Sequence, residues 1–203
     1  MDKKNCKLIQ TVTMTKLIFI RHARSDSSVQ DDFTRPLTET GQAAAASLPE
    51  LFKDTPINHI YSSPFVRSIH TVKPLADARG LAIKESANLQ ERKIGEWVAD
   101  FLEFAEKQWQ DFDYKLPNAE SLQEVQNRVV QKVNLILETH PGQTIVIGTH
   151  GTALCALLNY YNPEINFTYF KSMAQKMPFF VELSFDNREC IQSHEIFDQL
   201  SFN

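Results

Sequence analysis

Four short apolar runs constrain this chain more than any other feature: Leu17–Ile20, Ile57–Tyr61, Leu81–Ile83 and Ile145–Ile147. Runs this short fall below helix length and suit strands buried on both faces. The stretches between them carry helical periodicity. Such alternation predicts an α/β fold, a three-layer α/β/α sandwich around a mostly parallel sheet. Near the end, Phe179–Phe185 and Cys190–Ile196 flank Asp186-Asn187, which reads as a hairpin adding an antiparallel edge.

Helix signals fill the gaps. Ser63-Pro64 places a capping hydroxyl before a proline suited to a first helical position, and Gly80 closes that segment. Pro74 lies inside it, where a kink or restart is expected. Trp97, Phe101, Phe104, Ala105, Trp109 and Phe112 form one stripe at three- and four-residue spacing. Leu122, Val125, Val129, Val133, Ile136 and Leu137 form another, opened by a capping box of Ser121 and Glu124. No repeat or linker interrupts the chain, so residues 1–203 read as one domain. Residues 1–14 are expected to form a loosely ordered extension, and 97–118 a variable helical segment over the site.

Composition narrows the classes of function. The 203 residues carry 21 basic and 25 acidic side chains, a formal net charge of -4, which counts against a general nucleic-acid binder. Cys6, Cys155 and Cys190 form no close pair, as suits a reducing cytoplasm. No stretch approaches the roughly 18 apolar residues of a membrane helix, and no export signal is read at the N-terminus. The expected setting is cytoplasmic, with no nucleic-acid or membrane partner.

The strand ends carry the chemistry. The first strand runs into Arg21-His22, the second into Ser62-Ser63 with Arg67 just beyond, and the late strand into His150-Gly151. In open parallel sheets, ligands bind outside the carboxyl ends of the strands. Two histidines and two arginines therefore converge on one edge. Guanidinium groups fork onto phosphate oxygens, and imidazole serves as nucleophile or donor. The spacing implies an anion site containing histidine.

Other chemistries find little support. The six glycines form neither a dinucleotide fingerprint nor a P-loop. There is no serine-hydrolase elbow and no cysteine followed by arginine at phosphatase-loop spacing. Asp111-Phe112-Asp113 ends a helical stripe, not a strand, and so reads as surface rather than chemistry. The histidines show no close metal-binding pair. Cationic side chains, not a metal or cofactor, are the expected phosphate ligands.

These segments resemble the blocks of the histidine phosphatase superfamily, the phosphoglycerate-mutase-like proteins. Arg21-His22-Ala23-Arg24-Ser25 is similar to its Arg-His-x-x-Ser signature, and Arg35-Pro36-Leu37-Thr38-Glu39-Thr40-Gly41 to its next block. Ser62-Ser63-Pro64-Phe65-Val66-Arg67, with Thr71 beyond, resembles its Ser-Ser-Pro-x-x-Arg helix. Leu89-Gln90-Glu91-Arg92 resembles the acid-bearing segment, Ala119-Glu120-Ser121 with Arg128 the Gly-Glu-Ser block, and Thr149-His150-Gly151 the Ser-His-Gly strand end.

The resemblance implies phosphoryl transfer through a phosphohistidine, without metal or cofactor, on a small phosphorylated substrate. His22 matches the nucleophile, Arg21 and Arg67 the phosphate clamps, His150 the second pocket histidine and Glu91 the proton donor. An acid serving near neutrality requires burial, so Glu91 is expected to be partly buried with a raised pKa. Arg24 and Ser28 are possible substrate contacts. Ser63 is read as a helix cap. The segment between Glu91 and Glu120 lacks the paired arginines of bisphosphoglycerate mutases, having only Lys93, Lys107 and Lys115 beyond Arg92. A phosphomonoesterase is therefore favoured. The alternatives are a cofactor-dependent phosphoglycerate mutase, a phosphohistidine or phosphoprotein phosphatase, and an idle module that binds a phosphorylated ligand.

Overall fold

The computed structural model describes residues 14–95 and 98–196. The expectations for Cys6, for the stretch before Met14 and for Trp97 lie outside the described residues. Six strands form one sheet: β1 (Thr15–Arg21), β2 (His59–Ser62), β3 (Ile83–Glu85), β4 (Thr144–Thr149), β5 (Phe179–Asp186) and β6 (Glu189–Ile196), in the order β3-β2-β4-β1-β5-β6. The four on the β3 side run parallel, and β5 and β6 are antiparallel additions. The expected hairpin is thus the sheet's antiparallel edge.

Helices α1 (Glu39–Ala46), α2 (Leu48–Leu51), α3 (Val66–Arg79), α4 (Phe101–Gln110), α5 (Leu122–Thr139), α6 (Gly151–Tyr161) and α7 (Phe167–Ala174) flank the sheet. The apolar run of β1 needs cover on both faces because its side chains alternate. Leu17 and Phe19 enter a core with Val129 and Val133 of α5 and Leu154 and Leu157 of α6. Ile18 and Ile20 enter the opposite core with Leu48 of α2 and Val72 and Leu75 of α3. That makes three layers.

Several local expectations shift, and β2 begins at His59 rather than at Ile57. The third strand is Ile83–Glu85 rather than Leu81–Ile83, because Leu81 N–H caps α3 by donating to the Ala76 carbonyl after left-handed Gly80 (φ 62°). Helix α3 starts at Val66 with Phe65 as its cap residue, not at Pro64. It passes through Pro74 without interruption. The capping box of Ser121 and Glu124 is present at the start of α5.

Candidate active site

The register of the sheet fixes who meets whom. Arg21 at the end of β1 pairs with Thr149 of β4, and Ser62 at the end of β2 pairs with Gly148. The residues just beyond, His22, Ser63 and His150, therefore leave three adjacent strands at one level. A Cβ on Gly148 would meet Ser62 Oγ and Ser68 Oγ at 2.9 Å each, so this glycine lets the first turn of α3 close on the sheet. That approach delivers Arg67.

His22 is buried, its ring 5.2 Å from that of His150. Its Nδ1 lies 2.8 Å from the Ala23 carbonyl, an acceptor only, so Nδ1 carries the proton and Nε2 the lone pair. Arg67 Nε donates to that Nε2 at 3.1 Å. Burial, then the charge of Arg67, pushes the His22 pKa down to about 3, against the opposing bond to Ala23. The ring is neutral at ordinary pH. His150 is fully enclosed, and burial, then His22 and Arg67, hold it well below the usual histidine range.

The cations have different anchors. Arg67 is 3% exposed, spans Phe65 at 4.9 Å, and sends Nη1 to the Asp32 backbone carbonyl and, at 3.1 Å, to the Asp32 carboxylate. Arg21 is tied by Nη1 to the carbonyls of Met173 (2.8 Å) and Lys176 (2.9 Å). Its buried Nε has no partner among the described residues, and neither has His150 Nδ1. Buried polar atoms without partners are costly, and in a site they mark where a polar ligand bonds.

Glu91 is partly buried, as expected. Its carboxylate accepts three backbone N–H bonds, from Arg92 (2.8 Å), Thr152 (3.0 Å) and Ala153 (3.1 Å). The last two belong to the first turn of α6, directly after His150, where the helix dipole favours an anion. Oε1 accepts two of these bonds and Oε2 one, which leaves Oε2 a site for the proton that transfer to a leaving group requires.

Sequence reasoning missed one partner and misread another. Asp32 pairs with Arg67 across 35 positions, and no local pattern marks it. Ser63 does not cap α3; its Oγ lies 2.8 Å from His150 Nε2. Thr71 joins the helix to the loop after His22, accepting from Ala23 N–H at 2.9 Å while donating to the Arg67 carbonyl. Ser28 bonds to Asp26 on an exposed loop, and Arg24 is exposed, its backbone carbonyl accepting from Thr38. Neither is bonded to the His22 cluster. Cys155 is enclosed beneath the site with its thiol pKa pushed up by burial, so it is held as a neutral packing group.

Two neutral histidines, two arginines and a carboxylate meet at the carboxyl ends of the parallel strands of an α/β protein, as a candidate anion site. Residues 17–194 match the model of the histidine phosphatase superfamily (branch 1), and the chain belongs to that superfamily. It is an enzyme of the phosphatase and mutase-like kind gathered there. A relative named uncharacterized phosphatase PhoE, from Bacillus subtilis, is 29% identical over 76% of this chain and 83% of its own. Probable phosphoglycerate mutase GpmB of Citrobacter koseri is 28% identical over 72% and 74%. A mycobacterial glucosyl-3-phosphoglycerate phosphatase, solved with inorganic phosphate, shares the fold at a TM-score of 0.70, with 20% identity over 92% of this chain and 98% of that one. Among the described residues, no helix is long and apolar enough to cross a membrane.

Proposed function

We propose that the protein hydrolyses phosphate monoesters of small molecules in the cytoplasm, through a phosphohistidine on His22 and without a metal. The observation that carries this reading is the bond between His22 Nδ1 and the Ala23 carbonyl, which leaves Nε2 free of a proton. In the first half-reaction His22 Nε2 attacks phosphorus, the ester P–O bond breaks, and Glu91 gives its proton to the leaving alkoxide. Arg67 Nε passes from Nε2 to a phosphoryl oxygen as the new bond forms. In the second half-reaction water attacks phosphorus, Glu91 takes its proton, the P–N bond breaks and phosphate departs. Glu91 thus ends the cycle protonated, ready for the next ester.

Arg21, Arg67 and His150 stabilise the charge spread over the phosphoryl oxygens, the main term in such reactions. Hydrolysis is favoured over mutase chemistry by the fate of Arg92. It is buried, bonded to Gln108 and stacked over Phe101 and Phe104 at 5.4 and 5.0 Å. Lys107 and Lys115 are paired with Glu103 and Glu124. A second acidic group on a substrate would find few free cations in this segment.

The test is phosphate release from 4-nitrophenyl phosphate in excess EDTA. Turnover is expected to survive the chelator and to fall at least about a thousandfold in His22→Ala, the scale of losing a nucleophile. Metal-dependent turnover, or an active variant, would overturn the nucleophile assignment.

A further inference from the structure

Glu91 sits on a loop without regular structure between a short 3-10 turn (Ala87–Leu89) and Gly95. A catalytic carboxyl on such a loop needs its backbone fixed, since a misplacement of about 1 Å costs on the order of a hundredfold in rate. Arg128, on α5, supplies five donors and all five are engaged. Nη1 bonds the carbonyls of Asn88 (3.0 Å) and Gln90 (2.9 Å), and Nη2 bonds that of Glu91 itself (3.2 Å). Nε and Nη2 fork onto Glu120, at 2.7 and 2.9 Å. Glu120 grips the far side of the same loop, accepting from Lys93 N–H at 2.9 Å and donating its own N–H to the Lys93 carbonyl at 2.8 Å.

We infer that Glu120 and Arg128 form a strap that positions Glu91 for proton transfer, holding the backbone on both sides of it; this rests on the reading of Glu91 as the proton donor. The strap explains why the Glu91 carboxylate stays on the first turn of α6. Helix α5 carries Arg128, and α5 packs beside α6, so one rigid pair supports both ends of the Glu91 side chain. A lysine at 128 would keep the charge and lose the fork and most of the carbonyl bonds. Glu120 and Arg128 touch no reacting atom in this scheme; they act through Glu91.

A general acid matters most when the leaving group is a poor one, which separates positioning of the acid from general damage. The rates to compare are kcat/KM, which reports the phosphorylation half-reaction alone, on 4-nitrophenyl phosphate, a good leaving group, and on phenyl phosphate, a poor one. Glu91→Gln is expected to lose about a hundredfold more on phenyl phosphate than on 4-nitrophenyl phosphate. Arg128→Lys and Glu120→Gln are expected to show the same selectivity at roughly tenfold. In the double variant Glu91→Gln/Arg128→Lys, the second change should add little further selectivity.

If Glu91→Gln is selective but both strap variants lose the two activities equally, or lose neither, the strap proposal fails and the reading of Glu91 stands. If Glu91→Gln itself loses both equally, the proton-donor reading fails and the strap with it. Thermal melts report whether each variant folds. Glu120→Gln retains one oxygen for Arg128 and decides the matter if Arg128→Lys does not fold.

Discussion

At the scale of single residues, the site is a problem of keeping histidine neutral among cations. His22 meets it by burial and by the charge of Arg67, which together bring its pKa down to about 3. The proposed nucleophile is then available at any pH where the protein works, and an acidic limb in kcat/KM between pH 5 and 8 has another origin. The NMR signal of the His22 ring should therefore not titrate between pH 8 and 5. In Arg67→Met, with one cause of the depression removed, its pKa should rise. A His22 signal titrating near the ordinary value of about 6.5 in the wild type would refute the assignment.

At the scale of elements, close approach of α3 to β4 is what delivers Arg67, and Gly148 is the point of contact. Its hypothetical Cβ would meet the oxygens of Ser62 and Ser68 at 2.9 Å and Val72 Cγ1 at 3.1 Å. Those two hydroxyls are buried and bonded to each other at 2.9 Å, so neither moves freely. Gly148→Ala should therefore cost about 1–3 kcal/mol in urea unfolding, the usual range for overpacking. It should also lower kcat/KM, because the helix bearing Arg67 is pushed from the strand bearing His150. Ser68→Ala in the same chain should recover part of the stability. An alanine variant as stable and active as the wild type would show that α3 is not held this tightly.

The same elements show what was legible beforehand. Strand β1 and the hairpin of β5 and β6 could be read because apolar runs and a turn are local signals. The convergence of His22, Arg67 and His150 could be read because strand ends share an edge. The start of α3 was misread at Ser63, since a serine before a proline looks like a cap whatever its hydroxyl does. Here the hydroxyl faces His150, 87 positions away. Asp32 on Arg67 and Arg128 on the Glu91 loop were hidden for the same reason: each depends on a pairing that only the folded chain creates.

At the scale of the whole molecule, these buried neutral histidines tie stability to pH. His22, His150 and His140 all have pKa values lowered by burial first and by neighbouring cationic or titratable groups next. In the unfolded chain each titrates near 6.5. Below that value the unfolded chain binds protons that the folded chain refuses, so acid favours unfolding. The contribution is fully present above about pH 6.5 and is lost as pH falls toward the folded values. For His22, with a folded value of about 3, the loss between pH 6.5 and 5 is at most about 2 kcal/mol, and His150 acts in the same direction. Urea midpoints at pH 7 and pH 5 measure it. The wild type should be clearly less stable at pH 5, and His22→Asn, which removes one of the refused protons, should show a smaller difference between the two. Equal differences in both chains would mean that His22 is not held neutral at the expense of acid stability.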